Sequence, residues 1–221
     1  MVWKQEEFND FILKNGVIGF FKKPLRLKSG RLSNWYVNWR NIAEDVYLID
    51  ELVDFILKFV EKKKLKPDCF YGVPEGATKM GILTQYKWAK NQKIRKGKYI
   101  LSMGRAKPKD HGDPKDKYFL GVPEGRIIIL EDVTTTGGSI LSSIDKILEI
   151  NAEIVAAIGL TNRNELRSDQ KSVKDAIAEK GVKYYAMSNA LELLPKLNPP
   201  EDIAVEIREY FTKYGIKRIN L

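Results

Sequence analysis

The sequence predicts an α/β fold in which a central, mostly parallel sheet is flanked by helices. Segments typical of strands and of helices alternate along the chain and are joined by short loops, as in a doubly wound sheet. Residues 127–130 (Ile-Ile-Ile-Leu) form an unbroken apolar run between Gly125 and an acidic pair. Such a run is typical of a parallel strand that is buried on both faces.

The first part of the chain predicts two helices with two strands between them. Apolar residues at helical spacing indicate a short amphipathic helix over residues 3–14, which ends at Asn15-Gly16. Aromatic-rich segments around 19–27 and 33–39 are expected to be strands joined by a turn. Residues 46–64 repeat the helical spacing over a longer stretch and predict the second helix.

The middle of the chain predicts two short strands and a long loop. A buried strand at 69–71 is followed by a Gly/Pro loop over 72–76 and a helix that ends near Lys90, and residues 99–103 are expected to be another strand. Residues 104–124 are rich in Gly, Pro, Lys and Asp and have almost no apolar periodicity. A loop of that length in a compact domain is usually functional or disordered. We therefore expect a mobile loop that closes when substrates bind.

After the strand at 127–130, helices and strands alternate to the end of the sequence. Residues 139–150 and 172–180 have the spacing of helices, whereas 154–160 and 182–187 are expected to be buried strands. A last helix over 201–214 follows a Pro-Pro pair.

Composition indicates one globular domain spanning residues 1–221, with 43% hydrophobic and 30% charged residues. No apolar run approaches the roughly 18 residues that cross a membrane, and the N-terminus lacks the pattern of a signal peptide. Cys69 is the only cysteine and His111 the only histidine. Those counts exclude an intrachain disulfide and argue against a structural zinc site. We therefore expect a cytoplasmic protein.

The chain is basic, with a formal net charge of +9. Such an excess attracts nucleic acid, anionic lipid or a polyphosphate substrate. Lysines spread over a solvated surface would produce the same value without any partner. Composition alone leaves these alternatives open.

The most informative motif covers residues 127–139, where the apolar strand leads into Glu131, Asp132 and a Thr/Gly loop. Ligands of α/β proteins bind at this carboxyl edge of the sheet, and the N–H groups at a helix start favour a phosphate. Adjacent acids suit hydroxyl groups or a hydrated magnesium ion, so acids and phosphate loop together describe a site for ribose 5-phosphate. The residues expected to bind the phosphate are Thr134, Thr135, Thr136, Gly137, Gly138 and Ser139.

Other phosphate motifs do not fit this stretch. It lacks the Gly-Lys-Ser/Thr of a Walker A loop and the G-x-G-x-x-G of a dinucleotide site. The alternative without function is a Thr-rich helix cap beside two exposed acids.

The thirteen residues 127–139 resemble the phosphoribosyl-diphosphate motif of type I phosphoribosyltransferases. The resemblance implies a type I fold with a core over about 45–160, a hood from about 1–40 and 160–190, and a C-terminal helix near 200–215. It also implies Mg²⁺-assisted transfer of ribose 5-phosphate to a nitrogen nucleophile. The magnesium ion would be carried by the substrate, with no direct protein ligand.

Four further segments are similar to those of orotate phosphoribosyltransferases. They are Lys-Ser-Gly-Arg with the Trp-Tyr pair in 27–38, Gly-Val-Pro-Glu-Gly-Ala at 72–77, Lys-Asp-His-Gly within 105–112, and Gly-Leu-Thr-Asn-Arg at 159–163. In this order they cover about residues 5–190. The likeness implies orotate and phosphoribosyl diphosphate as substrates, in pyrimidine biosynthesis.

The resemblance also implies roles for individual side chains. Arg163 would hold the orotate carboxylate, a pairing that suits a guanidinium. Lys28 would reach the base or the diphosphate, and Trp35 or Tyr36 would form a wall for the ring unless they pack in the core. The loop cations expected to receive the leaving diphosphate are Arg105, Lys107, Lys109 and His111. Glu131, Asp132, Lys109 and His111 are the expected catalytic residues.

The resemblance further implies a homodimer in which the mobile loop serves the neighbouring subunit. Two departures from the family pattern, Gly76 and Ala106, remove positive charges from the diphosphate side, for which Lys79, Lys107 and Lys109 could compensate. The alternatives are a phosphoribosyltransferase for another base, such as a purine, and a non-catalytic nucleotide-sensing regulator. We expect neither a nucleic-acid partner nor a membrane partner.

Overall fold

The computed structural model describes residues 2–27, 29–105, 107–111 and 116–221. The predicted substrate-binding residue Lys28 lies outside these ranges, as does Ala106. Within them, no helix is long and apolar enough to cross a membrane.

Eight strands and eight helices make up the described chain. The strands are β1 (Ile18–Arg26), β2 (Leu32–Val37), β3 (Cys69–Gly72), β4 (Met103–Gly104), β5 (Phe119–Leu120), β6 (Arg126–Thr134), β7 (Glu153–Asn162) and β8 (Tyr184–Asn189). The helices are α1 (Gln5–Lys14), α2 (Arg40–Glu44), α3 (Val46–Lys62), α4 (Thr78–Asn91), α5 (Gly138–Glu149), α6 (Val173–Ala178), α7 (Ala190–Lys196) and α8 (Glu201–Tyr214).

The central sheet has the strand order β5-β4-β3-β6-β7-β8 and is parallel except for the β4–β5 pair. The predicted α/β class with a mostly parallel sheet is therefore confirmed. β1 and β2 pair with each other in a separate antiparallel sheet, and β7 and β8 belong to the central one. The boundaries of the expected hood stay a prediction.

Strand β6 lies at the centre of the core, and its residues 127–130 are fully buried. Ile128 and Leu130 pack in one cluster with side chains of α1, α3, α7 and α8, whereas Ile127 and Ile129 pack in another with α5 and α6. Because successive side chains of a strand point to opposite faces, the unbroken apolar run supplies both helical layers.

The main differences between the predicted and the observed elements concern short helices and strands. Helices α2 and α7 were not predicted, and the strand expected at 99–103 is confined to β4. Strand β5 lies inside the segment expected to be a loop, so that expectation was wrong for Phe119 and Leu120, and Phe119 is fully buried. A two-residue strand is too short to show a periodicity, and its pairing with β4 comes from tertiary structure.

The loop between β4 and β5 begins as an extension of that strand pair. The Arg105 N–H donates to the Tyr118 carbonyl at 2.8 Å, and the Lys109 N–H donates to the Lys117 carbonyl at 2.9 Å. The predicted mobility of the loop stays a prediction.

Candidate active site

A cleft of about 1220 Å³ opens at the carboxyl ends of β3 and β6 and contains most of the predicted site residues. This is the edge at which ligands bind in α/β sheets. The predicted residues that line the cleft are Tyr36, Arg105, Glu131, Asp132, Thr135, Thr136, Gly137, Gly138, Ser139 and Arg163.

The structure does not bring every predicted residue into the cleft. Trp35 is fully buried and is part of the hydrophobic core. Thr134 is also buried, and its hydroxyl lies 2.5 Å from the Tyr184 hydroxyl. Lys107, Lys109 and His111 do not line the cleft of their own chain. Of the Trp-Tyr pair, only Tyr36 is placed to face a ligand.

The acidic pair stands at the end of β6, with Glu131 almost fully buried and Asp132 partly so. Asp132 Oδ1 accepts a hydrogen bond from the Val133 N–H at 2.9 Å. Burial raises the pKa of Asp132, an effect that this hydrogen bond and the charge of Arg40 oppose. A carboxylate held partly dehydrated in this way has a strong electrostatic preference for a positive or hydrogen-bond-donating partner.

Gly76, at a position where some members of the resembled family have a lysine, lies directly against this acid. A Cβ atom at Gly76 would lie 2.3 Å from Asp132 Oδ2, closer than any real contact allows. The loop therefore approaches the carboxylate along its backbone, and a side chain at this position would require the Asp132 carboxylate or the loop to move.

The Thr/Gly loop joins β6 to α5 through Gly137, whose φ of 74° is in the left-handed region. A side chain there would be strained, and its Cβ would also lie 2.4 Å from Val173 Cγ2. The Thr136 carbonyl accepts a 2.6 Å hydrogen bond from Arg167 Nη1. Arg167 thus holds the loop through its backbone. The amino end of α5 faces the cleft, as an anion site requires.

Several cleft residues were missed by the sequence analysis. Ser142, Ser143 and Lys146 line the cleft, and they follow the predicted Ser139 at i+3, i+4 and i+7, which puts them on the same face of α5. That periodicity is a signal that could have identified them. Arg40 lines the cleft too, but it begins the unpredicted helix α2, so nothing in its local sequence marks it.

Several cationic side chains line the same cleft as the acids. Arg40, Lys79, Arg105 and Lys146 all line the cleft. Lys79 also donates to the Ala43 carbonyl at 3.1 Å, and Arg105 Nε donates to the carbonyls of Asp116 and Phe119 at 2.9 and 3.0 Å. These side chains can supply the positive charge that Gly76 does not.

Arg163 follows β7 and is tied directly to the phosphate motif, because its N–H donates to the Thr134 carbonyl at 2.9 Å. Its side chain is nearly buried, with the guanidinium carbon 3.5 Å from the centre of the Trp35 ring. Nε donates to Glu165 Oε1 at 2.7 Å, and Nη2 donates to Ser33 Oγ at 3.1 Å.

Two further contacts of Arg163 are long. Nη1 lies 3.5 Å from the Trp35 carbonyl and Nη2 lies 3.5 Å from the Tyr210 hydroxyl. A guanidinium has five N–H groups, so the described part of the chain leaves one on Nη1 unused and two others weakly bonded. A carboxylate in the cleft can therefore accept from Nη1 without displacing a strong hydrogen bond.

Asp132→Asn is expected to stabilise the folded chain, because it removes a charge that burial disfavours. The pKa of Asp132 is raised on folding. The ionised group therefore costs stability at neutral pH, and this cost disappears below the pKa of the unfolded chain. We expect a Tm rise of about 2–4 °C at pH 7, the shift that about 1 kcal/mol produces at this size. Thermal unfolding between pH 4 and 8 measures it.

The matched control is Asp68→Asn, for which the expected change in Tm at pH 7 has the opposite sign. The hydrogen bond from Arg126 lowers the pKa of Asp68, so the ionised form contributes stability above the unfolded pKa and loses it as pH falls. This substitution should lower Tm at pH 7. A lower Tm for Asp132→Asn as well would contradict the first expectation.

Comparison with known proteins shows which family this chain is similar to. No protein-family model matches the chain. A Rhodopseudomonas palustris (strain BisB5) protein named orotate phosphoribosyltransferase is 31% identical over 200 residues, which cover 83% of this chain and 92% of that protein. One of the same name from Thermococcus gammatolerans is 27% identical over 197 residues, or 89% of this chain and 95% of that protein.

The fold agrees with these relatives. The crystal structure of orotate phosphoribosyltransferase from Francisella tularensis superimposes with a TM-score of 0.69 over 95% of this chain and 99% of that one, at 24% identity. The expected type I phosphoribosyltransferase fold is confirmed. Since the R. palustris relative matches at 31% identity over most of both chains, this protein belongs to the orotate phosphoribosyltransferase family.

Proposed function

We propose that the cleft transfers ribose 5-phosphate from phosphoribosyl diphosphate to orotate, giving orotidine 5′-monophosphate and diphosphate, a step of pyrimidine biosynthesis. The observation that carries this proposal is one cleft that contains an anchored phosphate loop, two acids and a nearly buried arginine with N–H groups to spare. Each group matches one part of the reactants: phosphate, ribose hydroxyls and base carboxylate.

In the reaction, the bond between ribose C1 and the diphosphate oxygen breaks, C1 bonds to a ring nitrogen of orotate, and the proton of that nitrogen leaves with the diphosphate. Thr135–Ser139 would bind the 5-phosphate, with the amino end of α5 and its N–H groups towards the negative charge. Glu131 and Asp132 would hold the ribose hydroxyls and favour the positive charge that develops at C1. Arg163 would orient orotate through its carboxylate.

The leaving diphosphate needs cations. Arg40, Lys79 and Arg105 line the cleft near the acids, and we assign them to the diphosphate together with Lys107, Lys109 and His111 of the loop. Neutralising the departing charge in a closed, dry site lowers the barrier to C1–O cleavage.

Magnesium fits this site as a partner of the substrate. Glu131 and Asp132 are adjacent acids in a cleft that Glu44 and Glu75 also line, and such an adjacent pair suits a hydrated ion bound through water and ribose hydroxyls. When bound, the ion would neutralise part of the diphosphate charge. The acids would orient its water ligands.

We further propose that the protein acts as a homodimer whose loop completes the neighbouring cleft. Two facts support this assembly: Arg105 lines the cleft of its own chain, whereas Lys107, Lys109 and His111 do not. A loop that leaves its own site after Arg105 is suited to reach a second copy.

A cytoplasmic location is part of the proposal. Its support is the single cysteine, Cys69, which is buried in β3 and whose thiol pKa burial raises to about 12. Such a thiol is a packed, unreactive side chain suited to a reducing compartment.

The test is a base panel with phosphoribosyl diphosphate and Mg²⁺, followed by orotate absorbance and diphosphate release. We expect orotate to be consumed with one diphosphate per orotate, and adenine, hypoxanthine and uracil to release essentially none. Turnover of a purine in preference to orotate would indicate the other-base alternative. Binding of phosphoribosyl diphosphate without turnover of any base would indicate the regulator.

A further inference from the structure

Arg31, Glu165 and Arg163 form a charged cluster next to the cleft, with Glu165 between the two arginines. The Glu165 carboxylate accepts from Arg163 Nε at 2.7 Å through one oxygen and from Arg31 Nη1 at 2.6 Å through the other. The side chains of Glu165 and Arg163 are 0% and 3% exposed, and that of Arg31 is 14% exposed. Two arginines thus share one buried carboxylate.

The cluster has a net charge of +1, which a buried site tolerates only with a further negative partner or with several hydrogen bonds. The Arg163 side chain is its only part that lines the large cleft. An anionic group of the base, placed against Arg163, would balance the charge. The cluster therefore favours a base with a carboxylate over a neutral one.

The C-terminal helix α8 packs against this cluster. The Tyr210 hydroxyl lies 3.5 Å from Arg163 Nη2, and the guanidinium carbon lies 5.9 Å from the centre of the Tyr210 ring. Phe211 stacks on Trp35, the ring over which Arg163 lies, with centroids 5.8 Å apart. Arg31 lies over the Tyr214 ring at 4.5 Å.

We propose that Tyr210 is a positioning residue for Arg163, and that the C-terminal helix thereby takes part in the choice of the base. This inference rests on the proposed orotate transfer. The Tyr210 hydroxyl lies beside Arg163 Nη2, which also donates to Ser33 Oγ, so it restricts the direction in which the Nη groups point. Burial keeps Tyr210 protonated, because its pKa is raised by burial and by the charge of Glu165.

The position of the guanidinium matters because its free donors are few. Nε is engaged with Glu165, and one Nη2 N–H is engaged with Ser33. Recognition of a carboxylate by an arginine depends on two parallel N–H groups in a fixed plane. Without the Tyr210 hydroxyl, Ser33 is the side chain that still holds Nη2 in the described chain, so the plane can tilt and the pair is weakened.

Tyr210→Phe tests the proposal, since it removes only the hydroxyl and keeps the ring packing. We expect the KM for orotate to rise about three- to tenfold, the range for one hydrogen bond. The KM for phosphoribosyl diphosphate and kcat should stay within about twofold. Competitive inhibition by the amide of orotate, which has no charge, should be the same in both proteins.

The matched control is Tyr214→Phe, the same change one turn further along α8. The Arg31 contact is to the ring of Tyr214, so we expect the kinetic constants and Tm of the unaltered protein. If Tyr210→Phe raises both KM values equally, or leaves the orotate KM unchanged, the positioning role is refuted. Failure of the unaltered protein to use orotate would instead refute the proposed function, so the two failures are distinguishable.

Discussion

Arg163→Ala is expected to lower kcat/KM for orotate by about 30- to 1000-fold, because loss of a charge-assisted bidentate pair costs roughly 2–4 kcal/mol. The KM for orotate should rise far more than that for phosphoribosyl diphosphate. Initial rates with each substrate varied in turn give both values. An equal loss of affinity for the two substrates would overturn the assignment of Arg163 to the base.

The structure adds a stability effect to this substitution. Removing Arg163 leaves Glu165, whose side chain is 0% exposed, with Arg31 as its remaining cation in the cluster. Breaking a buried pair in this way typically costs about 3–5 kcal/mol, so Tm should fall as well. The kinetic comparison must therefore be made well below the new Tm.

Arg163→Lys separates the two effects. A lysine keeps the positive charge beside Glu165 but cannot present two parallel N–H groups. We expect Tm to recover in part while the KM for orotate remains raised. Recovery of both would show that charge alone, without the shape of the guanidinium, recognises the base.

Mixing Lys109→Ala with Asp132→Asn is expected to restore activity that neither variant has alone. If Lys109 serves the neighbouring cleft, a hybrid dimer has one site with both residues intact and one with neither. Random exchange in a two-fold symmetric dimer makes about half of the dimers hybrid, so about a quarter of full activity should return. If Lys109 serves its own cleft, no hybrid site is intact and none returns.

The control for this experiment is the double variant mixed with the unaltered chain in equal amounts. Loop sharing leaves the hybrids without an intact site, so about a quarter of full activity remains, from the unaltered dimers. Action within one chain leaves one intact site in each hybrid, and about half remains. Native mass spectrometry of the mixtures verifies that subunits exchange. No recovery in the first mixture, with half in the second, would refute sharing.

The sequence by itself was sufficient to predict the central strand, the acids and the phosphate loop of the site. Residues 127–139 combine a strand, two acids, a Thr/Gly loop and a helix start, and the structure places Glu131, Asp132 and most of the loop in the cleft. Their arrangement follows from chain order, because a strand that is buried on both faces delivers the next residues to the sheet edge. No distant segment is needed to bring them together.

The tertiary structure alone decided which other side chains complete the site. Trp35 and Tyr36 are adjacent in β2, yet Trp35 packs in the core and Tyr36 faces the cleft. Alternation along a strand places them on opposite faces, but which face is buried depends on where α8 packs. In the same way, Arg40 lines the cleft from helix α2, which the sequence did not predict.

The side chains around Arg163 could likewise not be predicted from the sequence. Arg31, Glu165 and Tyr210 lie in three separate segments of the chain, and the Arg31–Glu165 contact spans 134 positions of sequence. A pattern along the chain cannot report such a contact, since its energy comes from burying charges together. Local sequence thus determines the strand, the phosphate loop and the acids, whereas long-range packing determines how the base-binding arginine is held.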